Sequence, residues 1–226
     1  MAAAADRKVT IFLDIDGVLM NHGREEEIFQ KLQQECEASS DEKIKTLFKT
    51  FSNSVQENGL ERVYNCIPID LLFKWRTVSA TFLDAKAVAN FENMIDEIVN
   101  EGTKVQIVIS SSWRMFLSVE QLQTVFNAHK FSRLIFDKTS DKKDVRGAEI
   151  ANYIDQKKVD LGECLIIDDL SNGIVTRPRL FRRFVWIRDH QLFTPSHGSI
   201  GLGIVANTKA ADQVLYVEKP VEEPAQ

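Results

Sequence analysis

Apolar residues gather in two patterns along this chain. Short runs, broken only by Thr10 and Gln106, occur at residues 9–13 (VTIFL), 105–109 (VQIVI), 164–167 (CLII) and 184–187 (FVWI), with a shorter one at 134–136. These have strand length and strand composition. Between them, apolar residues recur at helical spacing: Ile28, Phe29 and Leu32; Ile44, Leu47, Phe48 and Phe51; Val88, Phe91, Ile95 and Ile98. The pattern predicts helices over 25–38, 41–51, 69–75, 84–101, 119–126 and 146–156, with Asp41 and Pro68 as starts and Gly102 as a stop. Residues 194–203, TPSHGSIGLG, are rich in Gly and Ser and read as a flexible loop, with a closing helix over 206–215.

The chemistry sits where three of these runs end. The first runs into Asp14, then Asp16 and Gly17. Asp14 therefore lies at the C-terminal end of its strand, the edge where open parallel sheets bind ligands. Gly17 lets the chain leave that strand in a conformation a side chain resists. Two close carboxylates repel unless something neutralises them, and a hard divalent cation with oxygen ligands, Mg²⁺ above all, answers that need. The second run ends in Ser110-Ser111-Ser112-Trp113-Arg114. Ser110 is the first residue past the strand, and Ser111 and Ser112 can cap the next helix. Arg114 serves either as a substrate contact or as the partner of an acid. The run at 164–167 ends in Asp168-Asp169.

Composition narrows the classes. The chain has 226 residues, 44% hydrophobic and 27% charged, which suits one α/β domain with an insertion. Its net charge of −5 supplies no global basic field and argues against nucleic acid as a partner. The Arg177, Arg179, Arg182 and Arg183 cluster reads as a solvated loop first and an anion-attracting patch second. Cys36, Cys66 and Cys164 have neither C-x-x-C nor zinc spacing, which points to a reducing, cytoplasmic compartment, with secretion by a non-classical route left open. No leader pattern and no window of membrane-spanning length is present. The acidic, proline-containing residues 217–226 are expected to lack order, and resemble a linker as much as a terminus. The sequence gives no oligomeric state.

FLDIDGVL resembles the first signature of the haloacid dehalogenase (HAD) superfamily, a hydrophobic strand followed by D-x-D-G-x. S-S-W-R, R-G-x-E-I and the hydrophobic-then-D-D ending match the motifs of one HAD subgroup, in order, over roughly residues 9–215. The resemblance implies a Rossmann-like three-layer parallel sheet. It divides the chain into a core of 1–20 and 82–216 and a helical cap at 21–81. It implies a Mg²⁺-dependent phosphatase in which Asp14 is the nucleophile, Asp16 the acid and base, and Ser110 a phosphoryl donor. Asp14, the backbone carbonyl of Asp16, and Asp169 with Asp168 beside it would form the metal site. Ser111 and Arg114 become substrate-binding candidates. The family also needs a cation at a helix start, usually lysine. Arg146, 22 residues before Asp168, fits the R-G-x-E-I position, and Lys143, 25 before, is the runner-up. Arginine keeps the charge and adds a bidentate fork suited to phosphate.

The substrate implied is a phosphorylated small molecule or a phosphoprotein, phosphotyrosine included. A silent phosphate-binding module on the same fold is the rival of another class, and the intact Asp14 and Asp16 argue against it. A signalling receiver domain is about half this length and lacks D-x-D-G.

Overall fold

The computed structural model describes residues 7–60, 67–115, 117–140, 144–188 and 191–206. The expected closing helix beyond residue 206, the tail at 217–226, Cys66 and Lys143 lie outside them.

Five strands, β1 (Lys8–Leu13), β2 (Lys104–Ile109), β3 (Ile135–Lys138), β4 (Cys164–Asp168) and β5 (Phe184–Trp186), form one sheet in the order β3-β2-β1-β4-β5. Every pairing is parallel. The architecture is α/β with helices on both faces. The two-residue period of a strand sorts the core. Val9, Ile11 and Leu13 join Ile107, Ile109, Leu165 and Ile167 on one face, while Phe12, Val108, Cys164 and Ile166 point to the other. Both faces are covered, so the strands read as nearly continuous apolar runs, and the two polar exceptions, Thr10 and Gln106, pair with each other at 2.8 Å. Helix α4 (Ala85–Asn100), which Asp84 caps through Lys86 N and Ala87 N, covers the first face with α5 (Val119–Val125) and α8 (Pro195–Ala206). Helices α6 (Arg146–Lys157) and α7 (Pro178–Phe181) cover the second.

Between β1 and α4 the described residues form three helices, α1 (Glu25–Glu37), α2 (Glu42–Asn58) and α3 (Ile69–Ala80). They share a cluster of their own, in which Phe29, Phe48, Phe51 and Trp75 meet through tilted and edge-on rings. Asp41 caps α2 as its sequence position predicts. Helix α3 runs past the expected end at residue 75 to Ala80, because Val78 and Ala80 are buried as well.

One sequence expectation is overturned. Residues 195–206 are a helix, not a flexible loop. Pro195 opens it, and Thr194 and His197 brace the start reciprocally, Thr194 N donating to His197 Nδ1 at 3.1 Å and His197 N to Thr194 Oγ1 at 3.4 Å. Gly201 serves packing: a Cβ there would stand 2.7 Å from Met94 Sδ in α4. No helix among the described residues is long and apolar enough to cross a membrane.

Candidate active site

Strand order reverses between β1 and β4, and the crevice beyond their carboxyl ends is where such a sheet holds ligands. Asp14 leaves β1 there, its backbone N donating to Ile167 O of β4 at 3.0 Å. Asp168 is the last residue of β4. The chain then curls tightly after Asp14, with Val18, Leu19 and Met20 all donating to Ile15 O. Gly17 makes the curl possible. It has φ +78°, and a Cβ would crowd Asp169 Oδ2 and His22 Nε2.

Arg146 opens α6 and lies across the sheet edge. Its Nη1 donates to Asp14 Oδ1 at 2.9 Å and to Asp168 Oδ2 at 2.8 Å. The helix start is set by a close approach: Gly147 N donates to Asn172 O at 3.0 Å, and a Cβ on Gly147 would strike the Gly173 carbonyl. Behind Arg146, buried Glu149 pairs with Arg114 Nη2 at 2.5 Å. Arg114 commits its other donors to the carbonyls of Ser110, Ser111 and Ser140. It thus holds the end of β2 and lines a groove next to the cavity of Asp14 and Asp16, not that cavity itself.

Asp16 is placed by the β2 end. Trp113 Nε1 donates to its two carboxylate oxygens at 3.2 and 3.0 Å, and Ser112 Oγ donates at 3.3 Å. Ser110 and Ser111 are fully buried, and their hydroxyls have no hydrogen-bond partner among the described residues. Such enclosed donors are costly unless something accepts from them. Asp169 is fixed by its backbone, whose carbonyl accepts from Trp186 Nε1 at 2.9 Å, while its Oδ2 lies 2.9 Å from His22 Nε2.

The electrostatics are those of crowded acids. Burial is the largest influence on Asp14 and pushes its carboxyl up to about 6; Arg146 pulls it back, and the charges of Asp16 and Asp169 add to the rise. Asp168 is raised well above the usual carboxylate range, by burial first and by Asp14 next. Burial works against the Arg146 charge, but Asp14 and Asp168 outweigh it and raise that group above its ordinary value. His22 is also raised, the bond and charge of Asp169 overcoming partial burial.

Ligand atoms of Asp14, Asp168 and Asp169 lie within 4.8 Å of one another. Asp14 and Asp168 share the Arg146 guanidinium, Asp169 lies against His22, and the donors of all three carboxylates are oxygen. That excess of negative charge and that hard donor set fit Mg²⁺. The cavity above them, about 310 Å³, is lined also by His22, Arg24, Ser79 and Ser112.

The profile of the family described as "HAD domain in Swiss Army Knife RNA repair proteins" matches residues 10–197. The chain belongs to this HAD family. A crystal structure of β-phosphoglucomutase from Clostridium difficile is also similar, with a TM-score of 0.46 and 13% identity, covering 89% of this chain and 96% of that one. The search of curated proteins gives no match.

The sheet edge thus brings together Asp14, Asp16, Arg146, Asp168 and Asp169, with Ser110 and Ser111 enclosed beside them. Sequence reasoning did not single out His22, Ser112, Trp113 or Glu149 for their roles. Glu149 carries a faint signal, being three residues after Arg146 on one helix face. The others meet their partners across long stretches of chain, which no local pattern records.

Proposed function

We propose that this HAD domain is a Mg²⁺-dependent phosphomonoester hydrolase that works through an aspartyl-phosphate. The observation that carries the reading is the Asp14–Arg146–Asp168 bridge with Asp169 beside it. Asp14, Asp168, Asp169 and the backbone carbonyl of Asp16 would hold the metal. When bound, Mg²⁺ supplies positive charge that lets a carboxylate approach a phosphate dianion.

A carboxylate oxygen of Asp14 attacks phosphorus as the bond from phosphorus to the ester oxygen breaks. Asp16 gives its proton to the departing oxygen, which keeps the electron pair. Water then attacks the phosphorus of the acyl phosphate, Asp16 takes the water's proton, and Asp14 is regenerated as inorganic phosphate leaves. Arg146 stabilises charge on the transferring group, and Ser110 donates to one of its oxygens. In this reading Arg114 and Glu149 hold the β2 end and Arg146 in register, and the three helices at residues 21–81 act as a cap that limits water and selects substrate.

The substrate proposed is a phosphomonoester whose reacting phosphate enters the 310 Å³ cavity. A second reading, a phosphate at the end of an RNA strand, is favoured by the RNA-repair description of the family. It is also favoured by an open groove of about 810 Å³ that adjoins the cavity and shares Ser112, Arg146 and Leu170 with it.

The test is hydrolysis, with and without Mg²⁺, of p-nitrophenyl phosphate, sugar phosphates, a phosphotyrosyl peptide and 5′- or 3′-phosphorylated oligoribonucleotides. Asp14→Asn should abolish turnover of every active member of the panel. Near-normal hydrolysis by that variant refutes the reading.

A further inference from the structure

Arg76 carries a charge for which the packing around it has no need. It sits in α3, is 4% exposed, and makes no hydrogen bond or ion pair with any described residue; its Nε is enclosed and unpartnered. Burying a guanidinium without an anion is unfavourable, and a Leu or Met would fill the same space without that penalty. What Arg76 does touch is an indole. Its Cζ stands 4.6 Å from the ring centre of Trp113. Trp113 is itself fully buried, stacks on Phe126 at 5.1 Å, and donates through Nε1 to both oxygens of Asp16. A cation over the face of an indole is attracted by the ring and draws electron density from it, which makes the ring N–H a stronger donor. The chain of contacts is therefore directional: a helix of the insertion, a buried cation, an indole, then the carboxylate two residues after Asp14.

We infer that Arg76 is a positioning residue acting through Trp113: it fixes the indole so that the Asp16 carboxylate faces the departing ester oxygen, and so ties proton transfer to the seating of the three-helix insertion on the core. The inference rests on the proposed role of Asp16 as proton donor. Ser112, the other donor to Asp16, comes from the same β2 end.

Leaving-group dependence tests it. The full chain with Mg²⁺ is assayed on p-nitrophenyl phosphate, whose phenolate departs with little help, and on phenyl phosphate, whose phenolate needs a proton. If Arg76 works through Asp16, Arg76→Met lowers kcat for phenyl phosphate ~10-fold or more and kcat for p-nitrophenyl phosphate less than ~3-fold, with KM within ~2-fold for both. Trp113→Phe, which keeps a ring and loses the N–H, gives the same asymmetry. The double variant is no slower than Trp113→Phe alone, and Arg76→Lys restores most of the loss.

Equal losses on both substrates, no loss on either, or additive effects in the double variant overturn the inference. Should Arg76→Met fail to fold by circular dichroism, the other two variants carry the test. Arg76→Lys must then keep the wild-type ratio of the two kcat values, and Trp113→Phe must change it. Asp14→Asn separates the two levels. Turnover by Asp14→Asn overturns the hydrolase mechanism itself, whereas an unchanged ratio in Arg76→Met removes only Arg76.

Discussion

The sheet edge and the three-helix insertion are both well buried, yet they are held by different forces. At the edge, charged groups are taken out of water in close pairs, Arg146 with Asp14 and Asp168 and Arg114 with Glu149, at 2.5 to 2.9 Å, and the two sets meet at 3.9 Å between Arg146 and Glu149. In the insertion, Phe29, Phe48, Phe51, Leu71 and Trp75 fill space, with ring centroids 5.6 to 6.4 Å apart along the aromatic chain. Buried charges stabilise only when each keeps its partner, so removing one strands the rest. Buried aromatics are tolerant of identity and sensitive to volume. The edge should therefore respond to chemistry and the insertion to size.

The largest contrast is expected at Arg146. Arg146→Met leaves Asp14 and Asp168 without their shared donor, and turnover of p-nitrophenyl phosphate should fall ~10³-fold or more, though the side chains differ little in bulk. A loss below tenfold would break the comparison. Next comes volume in the insertion: Phe51→Ala should cost ~3–5 kcal/mol by urea denaturation and Phe51→Leu under ~1.5, with kcat of the Leu variant near that of the parent. A smaller effect follows from charge at the edge. Mg²⁺ at a hundred times its dissociation constant should raise stability by ~2.7 kcal/mol, read by calorimetry, and this gain should shrink in Asp169→Asn. Stabilisation of equal size in that variant would place the ion elsewhere.

The smallest effect is a pH dependence away from the edge. Burial lowers the pKa of His197, and of His129 despite the nearby charge of Glu92. A histidine whose folded value lies below its unfolded value of about 6.5 binds its proton more readily when unfolded. Stability from these two groups is therefore full above that value and is lost as pH falls from about 6.5 through the lower folded values. His22, raised by Asp169, works in the opposite sense: its contribution is present below 6.5 and lost as pH rises through its folded value. His197→Asn isolates the first effect, since its melting temperature should decline less between pH 7 and pH 5 than that of the parent.

Much of the edge is readable in sequence because strand ends announce themselves. Asp14, Ser110 and Asp168 are each the first polar residue after an apolar run, and a parallel sheet gathers such residues at one rim. Arg146 is readable from its motif and its distance to Asp168. The helix at 195–206 is not, since its glycines carry the local signal of a loop while Gly201 serves close contact with Met94, more than a hundred residues earlier. Trp113 holding Asp16, His22 beside Asp169 and Arg76 over Trp113 have the same character. Each is a meeting of side chains whose types are unremarkable alone, and only the fold pairs them.

The backbone contact between Gly147 and Gly173 limits how this protein can vary in length. The segment after Asp169 touches the start of the helix that carries Arg146, so one residue added or lost there would shift that arginine away from both of its carboxylates. Insertions are best tolerated where backbone is exposed and unpaired. This short connection, although on the surface, should therefore accept substitutions more readily than any change in its number of residues.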